Sequence, residues 1–175
     1  MLRYALLALL SQGDRHGYEL KVAFEDLLAG MWSLNIGQVY TTLARLERDG
    51  LVIHRLEPQE IHPDRKTYSL TEAGREELVT WLSRPEEEIV RLKDESVLKV
   101  LLHGVTDAGD VRQLLWAQRD RCLEALADLA DLRDSAETPV VTRLAVEAAM
   151  LHVEADLRWL DTVEEAAADL AGGGD

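Results

Sequence analysis

Cysteine is nearly absent from this sequence of 175 residues, in which Cys122 is the single example. One thiol cannot build an intramolecular disulfide framework, and such a chain is typical of a reducing compartment. The longest strongly apolar run is only about six to eight residues, too short to span a membrane. No basic leader precedes a long apolar stretch at the N-terminus. We therefore expect neither a membrane span nor a secretion signal, and a cytoplasmic location.

Sequence patterns of enzymes and metal sites are missing as well. The sequence has no glycine-rich phosphate loop, no nucleophile elbow and no His-Glu-x-x-His motif. Its five histidines show no paired ligand spacing, so we expect no structural metal. Cys122 lies on an apolar helical seam, which favours a buried, inert thiol over a redox sensor. These absences predict a protein that is not an enzyme and carries no cofactor.

Charge is distributed unevenly along the chain. The net charge is -14, but residues 1–84 contribute only -2 and residues 85–175 contribute -12. A nearly neutral first half can still present a local basic face, while an acidic second half discourages non-specific binding to nucleic acid. The change in charge coincides with Arg84-Pro85. We predict one domain over 1–84, a helical domain over 85–170 and a disordered tail over 171–175.

The segment from Asn35 to Gly50 is strongly amphipathic and predicts a helix. At 100° per residue, four apolar side chains fall within an arc of about 80°. They are Ile36, Val39, Leu43 and Leu46, and we expect this face of the helix to be buried. Four polar side chains lie on the opposite side of the helix: Gln38, Thr41, Arg45 and Arg48. Gln, Thr and Arg suit base edges and phosphates, but an ordinary solvated helix face would show the same pattern.

The flanking segments favour reading of DNA by this helix. Leu2 to Leu10 predicts one helix, a polar break follows, and a second helix runs from His16 to about Leu28. After the amphipathic segment, residues 51–56 and 66–70 predict two strands joined by a loop with two prolines. This order is that of a winged helix-turn-helix domain. The loop would be its wing, with Arg65 and Lys66 where the wing meets the duplex.

Several motifs in the first half occur in the order and spacing of a known family. They are Leu6-Leu-Ala-Leu-Leu10, His16-Gly-Tyr-Glu-Leu20, Gly37-Gln-Val-Tyr40, Leu43-Ala-Arg-Leu-Glu47, Asp49-Gly-Leu51, Arg65-Lys66-Thr-Tyr68-Ser-Leu-Thr71 and Gly74. With these residues the chain resembles the PadR family of transcriptional regulators. The resemblance implies a winged helix-turn-helix domain followed by a helical dimerisation domain. It also implies a repressor that releases its operator when a small molecule binds.

Carried over by position, the resemblance gives candidate DNA-binding residues. Those on the recognition helix are Asn35, Gln38, Tyr40, Thr41 and Arg45, and Lys66 is the candidate on the wing. Tyr40 lies at the edge of the apolar arc, so its ring can pack against the second helix, its hydroxyl can reach a phosphate, or both. The chain has Pro63-Asp-Arg65 where many relatives have a Gly-Arg-Pro-like run. This departure leaves the contribution of the wing open.

The second half shows only helical patterns, over about 92–103, 107–134 and 139–168. The last helix carries two apolar seams, one through Leu144, Ala148, Leu151 and Ala155, and the other through Val146, Met150, Val153, Leu157 and Leu160. A neighbouring helix of the same chain can cover one seam only, so we predict a homodimer on a pseudo-palindromic operator. The segment Lys93 to Leu102 also resembles the C-terminal domain of the branch related to virulence activators.

Trp116 and Trp159 lie on long predicted helices and are candidates for binding a small aromatic or hydrophobic effector. The alternative is that they fill the core or an interface. The sequence thus predicts a mainly α-helical protein with a small β-hairpin, acting as a dimeric, effector-responsive repressor that binds double-stranded DNA. Two other functions stay open: a transcriptional activator without a ligand, and a winged helix that binds protein.

Overall fold

The computed structural model describes residues 1–57, 65–85, 95–103, 111–135 and 138–172, with side chains through residue 166. The chain forms two compact units, Met1–Glu87 and Glu88–Asp175. Helices predominate in the described part, together with a small antiparallel sheet. This architecture confirms the predicted fold class.

The described residues of the first unit, 1–57 and 65–85, form four helices and three strands. In chain order they are α1 (Leu2–Leu10), β1 (Arg15–His16), α2 (Gly17–Leu27), α3 (Ile36–Arg48), β2 (Val52–Glu57), β3 (Arg65–Leu70) and α4 (Glu72–Leu82). Strands β2 and β3 form the predicted hairpin, with a register from Val52 opposite Leu70 to Glu57 opposite Arg65. The sheet order is β1-β3-β2.

Strand β1 was not predicted, because the sequence pattern indicated only a polar break there. Its two residues pair antiparallel with β3, Arg15 opposite Tyr68 and His16 opposite Thr67. A strand of two residues has no hydrophobic alternation of its own. Its pairing partner is about 50 residues away in the chain, so no local pattern could reveal it.

The core of the first unit is made mainly of leucine and valine. Seven of its side chains are almost completely buried: Leu6, Leu7, Leu20, Val39, Leu43, Leu46 and Val52. They come from α1, α2, α3 and β2, so the apolar face of α3 is held on three sides. Ile36 was also predicted to be buried, but it is 37% exposed. The reason is its place as the first residue of α3, beside an exposed approach at residues 31–33.

Both ends of α3 are closed by specific hydrogen bonds. At its start, the Asn35 side-chain oxygen accepts from the Gly37 N–H at 2.8 Å. At its end, Gly50 adopts a positive φ of 73°, and Leu51 N donates to Leu46 O. The Thr71 hydroxyl donates to Gly50 O and accepts from Gly74 N. The end of α3 is thereby linked to the start of α4.

The second unit contains α5 (Glu95–His103), α6 (Val111–Asp134) and α7 (Val140–Gly172). Arg119 pairs with Asp161 at 2.7 Å, and the Arg133 guanidinium lies 4.0 Å from the sulfur of Met150. Residues early in α6 therefore contact residues late in α7, and residues late in α6 contact residues early in α7. The two helices thus form an antiparallel hairpin. Its core includes Val100, Leu115, Cys122, Leu160 and Val163. Cys122 is buried, as predicted.

Helix α7 extends beyond its predicted end near residue 168. It ends at Gly172, so the first two residues of the predicted disordered tail are helical. Residues 173–175 lie outside the described residues, as does most of the predicted wing loop. The apolar residues Leu170 and Ala171 follow residue 168, so the predicted end was placed too early in the chain.

The two seams of α7 have different environments. Val146 and Leu160 are buried, and Met150, Val153 and Leu157 are partly buried. On the other seam every member is exposed: Leu144, Ala148, Leu151 and Ala155. The described residues of this unit thus cover one seam and leave the other open, as predicted.

Candidate nucleic-acid interface

The outward face of α3 presents three polar side chains with no partners in the described structure. Gln38, Thr41 and Arg45 are exposed, and their side chains form no hydrogen bond or ion pair with any described residue. A shallow cleft of about 640 Å³ runs along this face and is lined by all three, together with Leu2 and Trp32. Because Val39, Leu43 and Leu46 anchor the opposite face in the core, the three side chains project from a rigid support.

Asn35 has a structural role that the sequence analysis did not assign. Its side-chain oxygen caps α3 through Gly37 N, so this oxygen is already engaged. The side-chain amide N–H groups remain available to an acceptor beside the helix N-terminus. Asn35 also explains Gly37, because a Cβ at that position would lie 3.1 Å from the Asn35 oxygen.

Tyr40 packs against the start of α2. A Cβ added to Gly17 would lie 2.6 Å from Cε1 of the Tyr40 ring, so the absence of a side chain at Gly17 permits the contact. The tyrosine is still 45% exposed. The ring therefore packs on α2 while part of the side chain reaches the surface. The packing role is observed, and contact of the hydroxyl with a phosphate stays a prediction.

The basic side chains at the end of α3 differ in availability. The Arg48 guanidinium lies 3.3 Å from Asp49 Oδ1, and Arg3 lies 4.0 Å from the second oxygen of the same carboxylate. Arg45 pairs with no acid in the described part of the chain. Of the two arginines on the outward face, Arg45 is the one whose charge no described acid compensates.

Arg65 and Lys66 are exposed on β3, where that strand leaves the predicted wing loop. The loop itself, residues 58–64, lies outside the described residues. Arg65 stands opposite Glu57 in the hairpin register. A hydrogen bond from Thr67 holds the pKa of the Glu57 carboxyl below its usual range, with further help from Arg55 and His16. Glu57 therefore stays ionised and partly offsets the positive charge of this edge.

His16 is a residue whose place the sequence analysis missed. Its backbone N–H donates to Glu19, and its ring Nδ1 lies 3.2 Å from Lys66 O and 3.1 Å from Thr67 Oγ1. The side chain thereby ties the start of α2 to the strand that carries Lys66. The motif beginning at His16 was the available signal, but its partners lie on a distant strand.

A half-buried contact joins the recognition helix to the hairpin. The His54 ring on β2 contacts the Glu47 carboxylate on α3, and it also lies 5.9 Å from the Tyr68 ring. Burial, followed by the negative charge of Glu47, raises the pKa of the Tyr68 phenol. The phenol stays neutral, and helix and hairpin are held together by this cluster.

The two candidate effector residues lie in different surroundings. Trp116 is 58% exposed on α6, whereas Trp159 is partly buried and packs against the core of the second unit. A cavity of about 460 Å³ between α5 and α6 is lined by neither tryptophan. In the described ranges no cluster of three or more His, Cys, Asp or Glu side chains could bind a metal, and no helix has the length and apolarity to cross a membrane.

Comparison with known proteins adds to this geometry. Residues 6–80 match the model of the transcriptional regulator PadR-like family, and residues 92–168 match that of the virulence activator alpha C-terminal domain. The negative transcriptional regulator PadR of Bacillus subtilis is 31% identical over 137 residues, which are 78% of this chain and 74% of that protein. The chain belongs to the PadR family. It is therefore a member of a family of transcriptional regulators rather than of enzymes.

Solved structures resemble this PadR-family protein over nearly its whole length. Bacillus subtilis PadR in complex with operator DNA has a TM-score of 0.74 at 26% identity, covering 93% of this chain and 95% of that one. The same regulator in complex with p-coumaric acid has a TM-score of 0.68 at 27% identity, covering 97% and 95%. The winged helix-turn-helix architecture and the helical C-terminal domain are thus those of the PadR family.

Proposed function

We propose that this PadR-family protein is a dimeric, sequence-specific DNA-binding repressor that a small aromatic or hydrophobic effector releases from its operator. The observation that carries the proposal is the row of Gln38, Thr41 and Arg45 on α3. Their donors and acceptors lack partners in the described structure, while the opposite face of the helix is anchored in the core. A helix of this kind can enter the major groove and read base edges. The complex of Bacillus subtilis PadR with operator DNA supports this docking.

Each candidate residue has a role that suits its chemistry. Gln38 can pair with adenine, Arg45 with guanine or a phosphate, and Thr41 with a phosphate or a thymine methyl. The Asn35 amide and the Tyr40 hydroxyl donate to phosphates near the start of the helix. From the hairpin, Arg65 and Lys66 neutralise phosphates on the flanking backbone. Base contacts would supply specificity, and the phosphate contacts would set position and salt dependence.

The proposed dimer depends on the open seam of α7. Leu144 and Leu151 are each more than half exposed, and Ala148 and Ala155 continue the same line. A second copy of the chain could cover this seam with its own equivalent, in the manner of a helical dimer. Two recognition helices would then meet a pseudo-palindromic operator about one helical turn apart.

The effector part of the proposal is supported by the relative that binds p-coumaric acid, a small aromatic acid. In this chain the proposed contacts are Trp116, whose ring is exposed, and Trp159, whose ring borders the core of the second unit. Flat aromatic side chains bind planar ligands well. The name of the Bacillus subtilis relative, a negative regulator, supports repression over activation.

The direct test is selection of bound duplexes from a random pool, followed by fluorescence-anisotropy titration of the winning sequence and a scrambled duplex across a salt series. We expect the selected sequence to bind more tightly than the scrambled one, with two protomers per site and affinity that falls steeply with salt. Equal binding to both duplexes, or none, would refute the proposal and favour a winged helix that binds protein. Adding p-coumaric acid to the complex then tests the effector class, and transcription from a promoter bearing the site separates repression from activation.

A further inference from the structure

The turn that leads from α2 into the recognition helix has an unusual backbone. Ala29 adopts a φ of 49° and Gly30 a φ of 74°, so two successive residues lie in the left-handed region. Alanine rarely adopts this conformation, because its Cβ approaches the backbone too closely. A turn of this kind is kept in place by surrounding contacts.

One residue contacts this turn through both its side chain and its backbone. Glu25 Oε1 accepts hydrogen bonds from the Leu34 backbone N–H at 2.9 Å and from the Ser33 hydroxyl at 3.1 Å. Its other oxygen lies 2.6 Å from Lys21 Nζ. The same residue also accepts through its backbone, from Gly30 N at 2.8 Å. Glu25 thus binds the chain near the beginning of the turn and again at its end.

The carboxylate remains charged while it does so. The hydrogen bond from Lys21, followed by that from Leu34 N–H, holds the pKa of Glu25 below its usual range. An ionised acceptor forms stronger hydrogen bonds than a neutral one. Lys21 also compensates the negative charge, which would otherwise stand on the side of the domain that approaches a polyanion.

Neighbouring contacts hold the same turn from its other side. Trp32 packs edge-on against Phe24, with ring centroids 5.4 Å apart. Leu34 is buried, and the next residue is Asn35, which caps α3. A displacement of Leu34 would therefore move the cap and the first turn of the recognition helix.

We propose that Glu25 is a positioning residue for operator recognition, because its carboxylate fixes the turn that sets where α3 begins. This inference rests on the proposed function. Glu25 does not itself contact DNA. Its effect is on the placement of Gln38 and Thr41, whose base contacts tolerate little displacement.

The test compares Glu25→Ala with Glu25→Gln and with the matched control Asp26→Ala. Asp26 is the next residue on the same helix, is exposed, and has no side-chain hydrogen bond to a described residue. We measure the affinity ratio between the selected operator and the scrambled duplex. Glu25→Ala should lower this ratio about tenfold, which is the worth of one lost charge-assisted hydrogen bond. Glu25→Gln, which keeps an acceptor oxygen, and Asp26→Ala should each keep the ratio within about threefold.

Binding to the scrambled duplex and amide hydrogen exchange at Leu34 provide the remaining readouts. We expect Glu25→Ala to bind the scrambled duplex no more weakly than the parent protein, because the change removes a negative charge beside Lys21. Exchange at Leu34 should accelerate in that variant but not in the control. Equal losses on both duplexes would indicate general damage to the domain and overturn the inference. So would an unchanged ratio or unchanged exchange at Leu34. Failure of the parent protein to distinguish the duplexes would instead refute the proposed function.

Discussion

Helices α3 and α7 each bury one face in their own unit, but their other faces differ in chemistry. The outward face of α3 carries polar side chains without partners among the described residues, whereas the outward seam of α7 is apolar. A polar face with unused donors is stable in water and gains most from a partner with fixed hydrogen-bonding groups. Exposing an apolar face to water costs free energy, and covering it with another apolar face recovers that free energy. The difference supports the proposal that the first helix binds DNA and the other binds a second protein chain.

The largest effect should follow from placing a charge on the α7 seam. We expect Leu151→Glu to convert the proposed dimer into monomers, because the carboxylate would be desolvated against the partner seam. Loss of the second recognition helix should weaken operator binding about a hundredfold. Light scattering measures the first effect, and anisotropy measures the second.

The control for this change is Leu56→Glu on β2. Leu56 is 56% exposed and Leu151 is 54% exposed, so the two substitutions alter surface charge and apolarity alike. Only the α7 variant should dissociate into monomers, as measured by light scattering. A dimer that survives Leu151→Glu would move the interface away from this seam and remove the contrast between the two helices.

The next largest effect should be on stability of the first unit. A Cβ at Gly74 would lie 2.1 Å from Leu51 O, which is backbone and cannot move aside without distorting the end of α3. We expect Gly74→Ala to lower the free energy of unfolding by about 3 kcal/mol. Denaturant titration followed by circular dichroism measures this change.

Gly37→Ala is the matched comparison, since it is also a glycine in the first turn of a helix. Its Cβ would meet only the end of the Asn35 side chain, at 3.1 Å. Stability should change by less than about 1 kcal/mol. Equal losses in both variants would show that the close approach at Gly74 has no special cost.

Changes on the polar face of α3 should be smaller and confined to DNA discrimination. Gln38→Ala and Arg45→Ala should each reduce the preference for operator over scrambled duplex by about 1–3 kcal/mol, the range for one base contact. Arg75→Ala on α4 removes an exposed arginine elsewhere in the same unit and should have no such effect. If the three variants behave alike, the polar face of α3 is only a solvated surface.

The smallest effect should come from the hairpin. We expect Lys66→Ala to weaken binding to operator and scrambled duplex similarly and to reduce the salt slope by about 1, because it removes one phosphate contact. Anisotropy at several salt concentrations measures the slope. A loss confined to the operator would make Lys66 a base-reading residue instead.

The sequence predicted those parts of the molecule that follow from local periodicity and capping. The apolar spacing of α3 identified Val39, Leu43 and Leu46 as buried, and the same spacing on α7 separated a covered seam from an open one. Gly50, the last residue of the amphipathic segment, ends α3 with the positive φ that glycine favours at such a position. These features depend on residues that are close in the chain, so one sequence is enough to predict them.

Features that depend on distant partners were missed. Strand β1 exists through pairing with β3, and Ile36 is partly exposed because the described elements cover the start of α3 incompletely. The role of Glu25 depends on a turn that returns Leu34 to it. In the sequence, Glu25 looks like one more charged residue on an amphipathic helix. Such roles can be assigned only from the tertiary structure, because each depends on a contact with a residue that is distant in the sequence.

The contact between Gly17 and Tyr40 has a consequence for variation within the family. Any side chain at position 17 would take the space of the tyrosine ring, and a smaller residue at position 40 would leave a gap beside α2. The two positions should therefore change together or stay the same. Among related regulators, a residue larger than glycine at the first position should be accompanied by a smaller one at the second. Such paired changes would show that the distance between α2 and α3 is conserved in the family, independently of the operator that each member binds.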